Sequence, residues 1–257
     1  MLQLLRAEFK RTWTEFIRYP VEAFSSVAVT TFIFYGMFIS VRFVAGPQLS
    51  VGNRIDTIVV GYVLWVLVLS VVNDIAITLQ IEAQTGTLEQ VFLSSFSAAK
   101  VFLARTVVSL ALRLILNVSL LLLITLVTGS RLSFPPSLLL PLCTLLLGAY
   151  GLSFLMGALA LVFKRVEQVL GLFQFTFLFL LAVPTETWLS RFQGLRLLLP
   201  MTMGADGLRQ VMVSNQSLDI SEFALALVNG IVYFTFGLLV FQWAERQAKQ
   251  HGILSGY

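Results

Sequence analysis

Long apolar runs with few charges inside them are the feature that most constrains how this chain folds. A helix needs about 20 mostly apolar residues to cross a bilayer, and six stretches meet that need: 21–44, 55–81, 98–128, 136–163, 168–188 and 223–243. Only 12% of the 257 residues are charged, too few to cover a soluble domain of this length. The sequence therefore predicts an all-α membrane protein with six transmembrane helices, folded as one domain over 1–257.

Several function classes are excluded by what the sequence lacks. It contains no GxxxxGK[ST] motif, so we expect no ATP bound through a P-loop of its own. One cysteine, Cys143, and one histidine, His251, are too few for a metal-ligand cluster or a histidine-based catalytic pair. The net charge of +4 reflects basic loops and predicts no nucleic-acid partner. We therefore expect no enzyme activity and no metal or cofactor in this chain.

The first 20 residues carry an amphipathic helical pattern. Apolar side chains recur at Leu2, Leu5, Phe9, Trp13 and Phe16, and the opposite face carries Arg6, Lys10, Thr14 and Arg18. This pattern predicts a helix over 1–20 that lies in the membrane interface. The alternative is a cytoplasmic helix that packs on protein.

The distribution of Lys and Arg predicts the orientation of the spans. With a cytoplasmic N-terminus, the inside segments carry more of these residues than the outside segments. Both termini and the segment 82–95 are then cytoplasmic, and the segment 189–221 lies outside. That outer segment is too apolar for a plain loop and too interrupted by Gly and Pro for a span. It predicts a pair of short re-entrant helices, with a surface loop as the alternative.

The polar insert 82–95, EAQTGTLEQVFLSS, separates the second and third predicted spans. Gly86 permits a sharp turn, Thr87 is a candidate N-cap with Gln90 as its partner, and Glu89 stands in the first turn, where the helix dipole favours an acid. Leu88, Val91 and Phe92 share one face. These residues describe an ordinary helical connector and a docking helix equally well.

Two motifs resemble those of type-2 ABC exporter permeases. Glu82, Gly86-Thr87-Leu88-Glu89-Gln90 and Ser94 are similar to the E-x-x-x-G-T-L-E-Q segment between spans two and three of that family. Leu199-Pro200 and Gly207-Leu208-Arg209 are similar to the stretch before its last span, with Asp206 in the acidic place. The chain departs from the family at Ser95-Phe96, where Ser-Pro is frequent.

The resemblance implies a transport subunit rather than an enzyme. Two permease copies, expected to be a homodimer, would pair in the cell (inner or plasma) membrane above two ATP-binding cassette ATPase subunits that hold ATP and Mg. A coupling helix over 82–95 would dock on the ATPase through Glu82, Gly86, Thr87, Leu88, Glu89 and Gln90. The expected activity is ATP-driven export of an amphiphile such as a drug, lipid or lipid-linked glycan.

An ion-coupled secondary transporter or a channel-like protein is the alternative. It is disfavoured because the spans hold few acidic residues and show no paired broken helices.

Charged and aromatic residues inside the spans are candidates for the substrate path. Asp74 and Arg105 have similar predicted depth and could pair, although Arg105 could instead reach the headgroups. Arg113 lies deeper, where it faces a path or bonds to a carbonyl. Tyr35 and Phe38 are path candidates because the family lines its path with spans one, two and five. Packing and lipid contact are the alternatives.

The outer end of the fifth predicted span and the segment that follows it form a second candidate site. Pro184 breaks the helix there, and Glu186 stands close enough in sequence to meet a nearby arginine. With Pro200, Asp206, Gly207 and Arg209, these residues are candidates for an outer gate or for a structural tie.

Overall fold

A computed structural model describes residues 2–45, 53–93, 97–163, 167–185, 194–216 and 219–250, and every regular element in these ranges is helical. In chain order the helices are α1 Leu2–Arg18, α2 Pro20–Ala45, α3 Asn53–Val72, α4 Asp74–Gln84, α5 Leu88–Phe92, α6 Ala98–Thr128, α7 Leu139–Val162, α8 Glu167–Ala182, α9 Leu195–Leu198, α10 Thr202–Met212 and α11 Ile220–Gln250. A single 3₁₀ turn, Pro136–Leu138, leads into α7.

Five helical stretches are long and apolar enough to cross a membrane: Pro20–Ser40, Ile55–Gln84, Ala98–Thr128, Pro136–Val162 and Ile220–Gln250. They indicate a multi-pass membrane protein, as the apolar runs predict. The second stretch combines α3 and α4, because Asn73 between them keeps its N–H bonded to the Leu69 carbonyl at 3.1 Å. The predicted span 168–188 corresponds to a shorter apolar helix, Leu170–Ala182, and its end falls outside the described residues.

The centre of the fold is the pair formed by α7 and α11. Gly151 on α7 faces Gly237 on α11 so closely that a Cβ added at Gly237 would overlap the Gly151 carbonyl. At Gly230, an added Cβ would lie 2.9 Å from the Thr144 carbonyl oxygen. Small residues allow two helix backbones to approach in this way, which favours van der Waals packing where no hydrophobic effect drives association. The pair therefore forms a rigid centre on which α3, α4 and α10 pack.

The predicted outer segment 189–221 contains the short helices α9 and α10. α10 packs against α3, α7 and α11, and ten of its residues are buried. Its backbone is therefore enclosed by protein, which is the condition for short helices at membrane depth. Residues 186–193 and 217–218 lie outside the described ranges.

The N-terminal helix has features of both predicted arrangements, a helix in the membrane interface and a helix packed on protein. One edge of α1 packs on α6. On its predicted apolar stripe, Phe9 and Trp13 are exposed, whereas Leu5 and Phe16 are half-buried. An uncovered aromatic stripe beside a span suits the membrane interface.

Candidate functional site

The α4–α5 turn ends the second membrane-crossing stretch in a defined way. The N–H of Thr87 bonds to the Glu82 carbonyl at 2.9 Å, and the N–H of Gly86 bonds to the Ala83 carbonyl at 3.2 Å. Together these are the two bonds of a Schellman C-cap, in which the residue after the cap is left-handed. Gly86 is that residue, with a φ of 71°, which explains why glycine stands there.

The predicted coupling helix over 82–95 is therefore shorter than expected. Glu82 belongs to the last turn of α4, and the separate helix α5 spans only Leu88–Phe92. The Thr87 hydroxyl is directed back to the carboxylate and the carbonyl of Glu82, where the sequence predicted a cap on Gln90. Residues 94–96, including the departure at Phe96, lie outside the described ranges.

Four charged side chains anchor the turn to two neighbouring helices. Arg105 of α6 donates from Nη1 to Glu82 at 2.6 Å and from Nε to Glu8 of α1 at 3.0 Å. Arg11 of α1 lies 3.9 Å from Glu82 and 4.0 Å from Glu8. With two carboxylates and two guanidinium groups, the cluster is neutral, so its partly buried charges are compensated. We call Glu8, Arg11, Glu82 and Arg105 the elbow cluster.

α5 turns one face inward and another outward. Leu88 and Phe92 are buried in the core, and Val91 packs against it, which confirms the predicted apolar face. Gln90 is exposed, and Leu93 directly after the helix is 84% exposed. The side chain of Glu89 is outside the described part of the structure. The outward surface thus combines a polar amide with a large uncovered apolar side chain.

The C-terminal end of α11 holds the other side of α5. The buried Glu245 accepts from the N–H of Ala98, the first residue of α6, at 3.3 Å. It also accepts from Lys249 Nζ at 2.8 Å, and this ammonium lies 5.6 Å from the centre of the Phe92 ring. A carboxylate at a helix N-terminus and a cation over an aromatic ring are both favourable. α5 is therefore connected to the central α7–α11 pair.

The predicted pairing of Asp74 with Arg105 is wrong. Asp74 instead pairs with Arg113 and accepts from the Ser109 hydroxyl at 3.0 Å. Arg113 also donates to the Ser70 carbonyl, so the expectation that it bonds to a carbonyl is confirmed. Arg105 is occupied by the elbow cluster.

The reason for this pairing is the register of two antiparallel helices. Glu82 follows Asp74 by as many residues as Arg113 follows Arg105. That spacing is about two helical turns, so one alignment of α4 with α6 satisfies both acids and both arginines. The matched spacing was present in the sequence and could have identified the partners.

The three path candidates have different surroundings in the described part of the structure. Arg113 lines a cavity of about 170 Å³ together with Ser26 and Thr30 of α2, Ser70 of α3 and Asn117 of α6. Tyr35 is exposed further along α2, and Phe38 packs beside Phe34 with ring centres 6.0 Å apart. The α2 residues beside Arg113 are thus earlier in the helix than the aromatic candidates.

The outer candidates form a buried ionic tie. Asp206 and Arg209 of α10 pair at 2.8 Å, and Arg209 also donates to the Leu181 carbonyl at the end of α8. The Thr185 hydroxyl donates to Asp206. Arg196 of α9 lies 3.6 Å from Asp206 and 3.0 Å from Glu222 of α11. These contacts join four helices around the segment that was predicted as a gate or a tie.

The other outer candidates have smaller parts in this arrangement. Gly207 is buried on α10 between the two ionic partners, and Pro184 adjoins Thr185. Pro200 lies between α9 and α10. Glu186 lies outside the described ranges.

Several residues of these networks were not predicted from the sequence: Glu8, Arg11, Thr185, Glu222, Glu245 and Lys249. Glu8 and Arg11 are three residues apart, so they share an edge of α1 that faces neither the apolar stripe nor the predicted polar face. Glu245 and Lys249 are four residues apart on α11, a spacing typical of a helical ion pair.

No model of a known protein family matches the chain, and no curated protein matches it.

Proposed function

We propose that this chain is the membrane subunit of an ATP-driven exporter and that its α4–α5 turn is the docking point for an ATPase. The observation that carries the proposal is the anchored yet outward-facing α5. Its inner face is buried, and Gln90 and Leu93 remain exposed. The turn before it is tied by Glu82 to α1 and α6, and its Phe92 ring lies next to Lys249 of α11. A short helix held this firmly transmits force rather than absorbing it.

The connections of α5 suggest where an applied force would go. Through Glu82 and Arg105 it reaches α4 and α6, and through Glu245 and Lys249 it reaches α11. α11 in turn packs closely against α7. A push on α5 by a closing ATPase pair would thus act on four spans at once. Rigid elements with such ties are the physical basis of long-range coupling.

The rest of the proposal follows the sequence motifs. Two copies of the chain form a homodimer in the cell membrane, with both termini and α5 on the cytoplasmic side. α8 serves as the sixth span, and α9 and α10 form the re-entrant outer segment. The cargo is an amphiphile, because the chain offers a polar-lined cavity within an apolar bundle. ATP and Mg bind only in the partner ATPase subunits.

An ion-coupled transporter is the second candidate, and one observation favours it. Asp74 and Arg113 form an ion pair inside the spans, and intramembrane ionisable residues frequently belong to ion pathways. For an ion-coupled transporter the expected result differs from that for an ATP-driven exporter: transport would follow a proton or sodium gradient and proceed without ATP.

Co-purification tests the proposal. The tagged chain, isolated from membranes in a mild detergent, is expected to retain a P-loop ATPase polypeptide without spans. Leu93→Glu should lower its recovery at least about tenfold, since an unpaired carboxylate in an interface costs more than about 1.4 kcal/mol. Ile220→Glu is the matched control, because Ile220 is 83% exposed at the opposite end of α11. Gradient-driven transport by a preparation lacking any ATPase would refute the proposal.

A further inference from the structure

Two cavities on the surface of the bundle lie next to each other. The first, of about 460 Å³, lies between α1 and α2 and is lined by Thr12, Glu15, Tyr19, Glu22 and Ser26 among others. The second is the cavity of about 170 Å³ beside Arg113. Ser26 lines both. We call the combined depression the α2–α6 groove. It runs from the interfacial helix α1 to the middle of α6.

The charges along the α2–α6 groove are ordered. Glu15 and Glu22 stand at the end next to α1, and neither forms an ion pair with a residue in the described ranges. Arg113 stands at the deep end. Its partner Asp74 is not among the lining residues, and the side chain of Arg113 is 28% exposed against 11% for Asp74. The groove therefore presents carboxylates near the membrane surface and a guanidinium further in.

Polar groups line the groove at a depth where lipid tails would otherwise contact them. Ser26, Thr30 and Asn117 accompany Arg113 there, with Val66 and Leu116 between them. Thr30 donates to the Ser26 carbonyl and Asn117 to the Val63 carbonyl, which leaves one amide hydrogen and the amide oxygen of Asn117 for an occupant. A polar occupant or water is favoured there over hydrocarbon. The apolar residues between them suit acyl chains.

We propose that the α2–α6 groove binds a zwitterionic phospholipid, such as a phosphatidylethanolamine, from the leaflet next to α1. The ammonium group lies toward Glu15 and Glu22, the phosphate toward Arg113, and the acyl chains along Val66 and Leu116. Such a lipid carries its amine outermost, then its phosphate, then its acyl chains. The groove offers carboxylates, then a guanidinium, then apolar side chains in the same order. This site stands on the groove alone and goes beyond the proposed ATPase docking. If the chain is an exporter, as proposed above, lipids with this order of charges are its substrate class.

Photocrosslinking tests the site in the full chain. The protein is reconstituted in nanodiscs of digalactosyl diacylglycerol, which carries neither amine nor phosphate. A small fraction of diazirine-labelled phosphatidylethanolamine, or of phosphatidylglycerol with the same acyl chains, is added. The first probe should label the groove residues of α2 and α6 at least about fivefold more than the second, the factor expected for a single favourable contact of ordinary strength. Excess free phosphoethanolamine should not displace it, since the acyl chains contribute to binding.

Substitutions test which residues cause the preference for the lipid that carries an amine. The double substitution Glu15→Gln with Glu22→Gln should abolish the difference between the two probes. Asp219→Asn, which changes an exposed carboxylate directly before α11, should preserve it. Asn117→Leu should reduce labelling, and Ser119→Leu on the exposed side of α6 should not.

Two labelling results would overturn the proposal: equal or stronger labelling by phosphatidylglycerol, or labelling around Ser119 as heavy as in the groove. Displacement by free phosphoethanolamine would also contradict a lipid occupant. Because ATPase co-purification is measured separately, loss of lipid labelling with the ATPase retained would refute this inference and leave the docking proposal intact.

Discussion

Charged side chains in this protein are few, and most of those inside the bundle have a partner of opposite sign. Asp74 with Arg113 and Glu82 with Arg105 form two rungs between α4 and α6, and Asp206 with Arg209 forms a third pair near α8. The span boundaries predicted that Asp74, Arg105 and Arg113 lie inside the spans. The equal spacing of Asp74 to Glu82 and of Arg105 to Arg113 is present in the sequence, but it identifies the partners only once α4 and α6 are known to be neighbours.

Removing one residue of the Asp74–Arg113 ion pair should destabilise the fold more than removing both residues. Asp74→Asn leaves Arg113 without its carboxylate inside a span. Breaking a fully buried ion pair in this way costs about 3–5 kcal/mol, and this pair is partly buried, so we expect a loss at or below the lower end of that range. We expect a lower thermal unfolding midpoint in detergent for Asp74→Asn and for Arg113→Gln. The double variant should recover much of the loss, because no uncompensated charge remains. Additive losses in the double variant would contradict the pairing.

At the scale of elements, the long helices were predictable and the short ones were not. The boundaries of α6 match the predicted span 98–128, because Gly129 with a φ of 71° ends the helix where the apolar run ends. α5 is shorter than predicted, since the Schellman cap at Gly86 assigns Glu82 to α4. Capping bonds of this kind depend on backbone geometry, and the identity of Gly86 alone does not specify which carbonyls are bonded.

The close approach of α7 and α11 makes a second prediction. Gly237→Ala would place a methyl group against the Gly151 backbone, which cannot move without separating the two helices. The expected loss is about 3 kcal/mol or more, at the upper end of overpacking costs. Gly36→Ala is the control, because an added Cβ there meets no atom within 4 Å. Thermal unfolding in detergent measures both, and equal midpoints would show that the helices are not in contact at Gly237.

For the whole molecule, the ionic contacts link the α4–α5 turn to most of the bundle. The elbow cluster joins α1, α4 and α6, and Glu245 with Lys249 joins α11 to α5 and α6. Composition and apolar runs were sufficient to predict a helical, multi-pass protein. They could not predict this network, because Glu8 and Glu245 are far from the turn in sequence and meet it only in the folded bundle.

The central claim is that α5 is the surface on which an ATPase acts, and site-specific photocrosslinking tests it most directly. A photoreactive amino acid replaces Gln90, which is exposed on α5, or Ser221, which is exposed at the other end of α11. After irradiation of intact membranes, we predict a crosslink from position 90 to a P-loop ATPase polypeptide and none from position 221. Absence of that crosslink at 90, in a membrane that transports the cargo, would contradict the account.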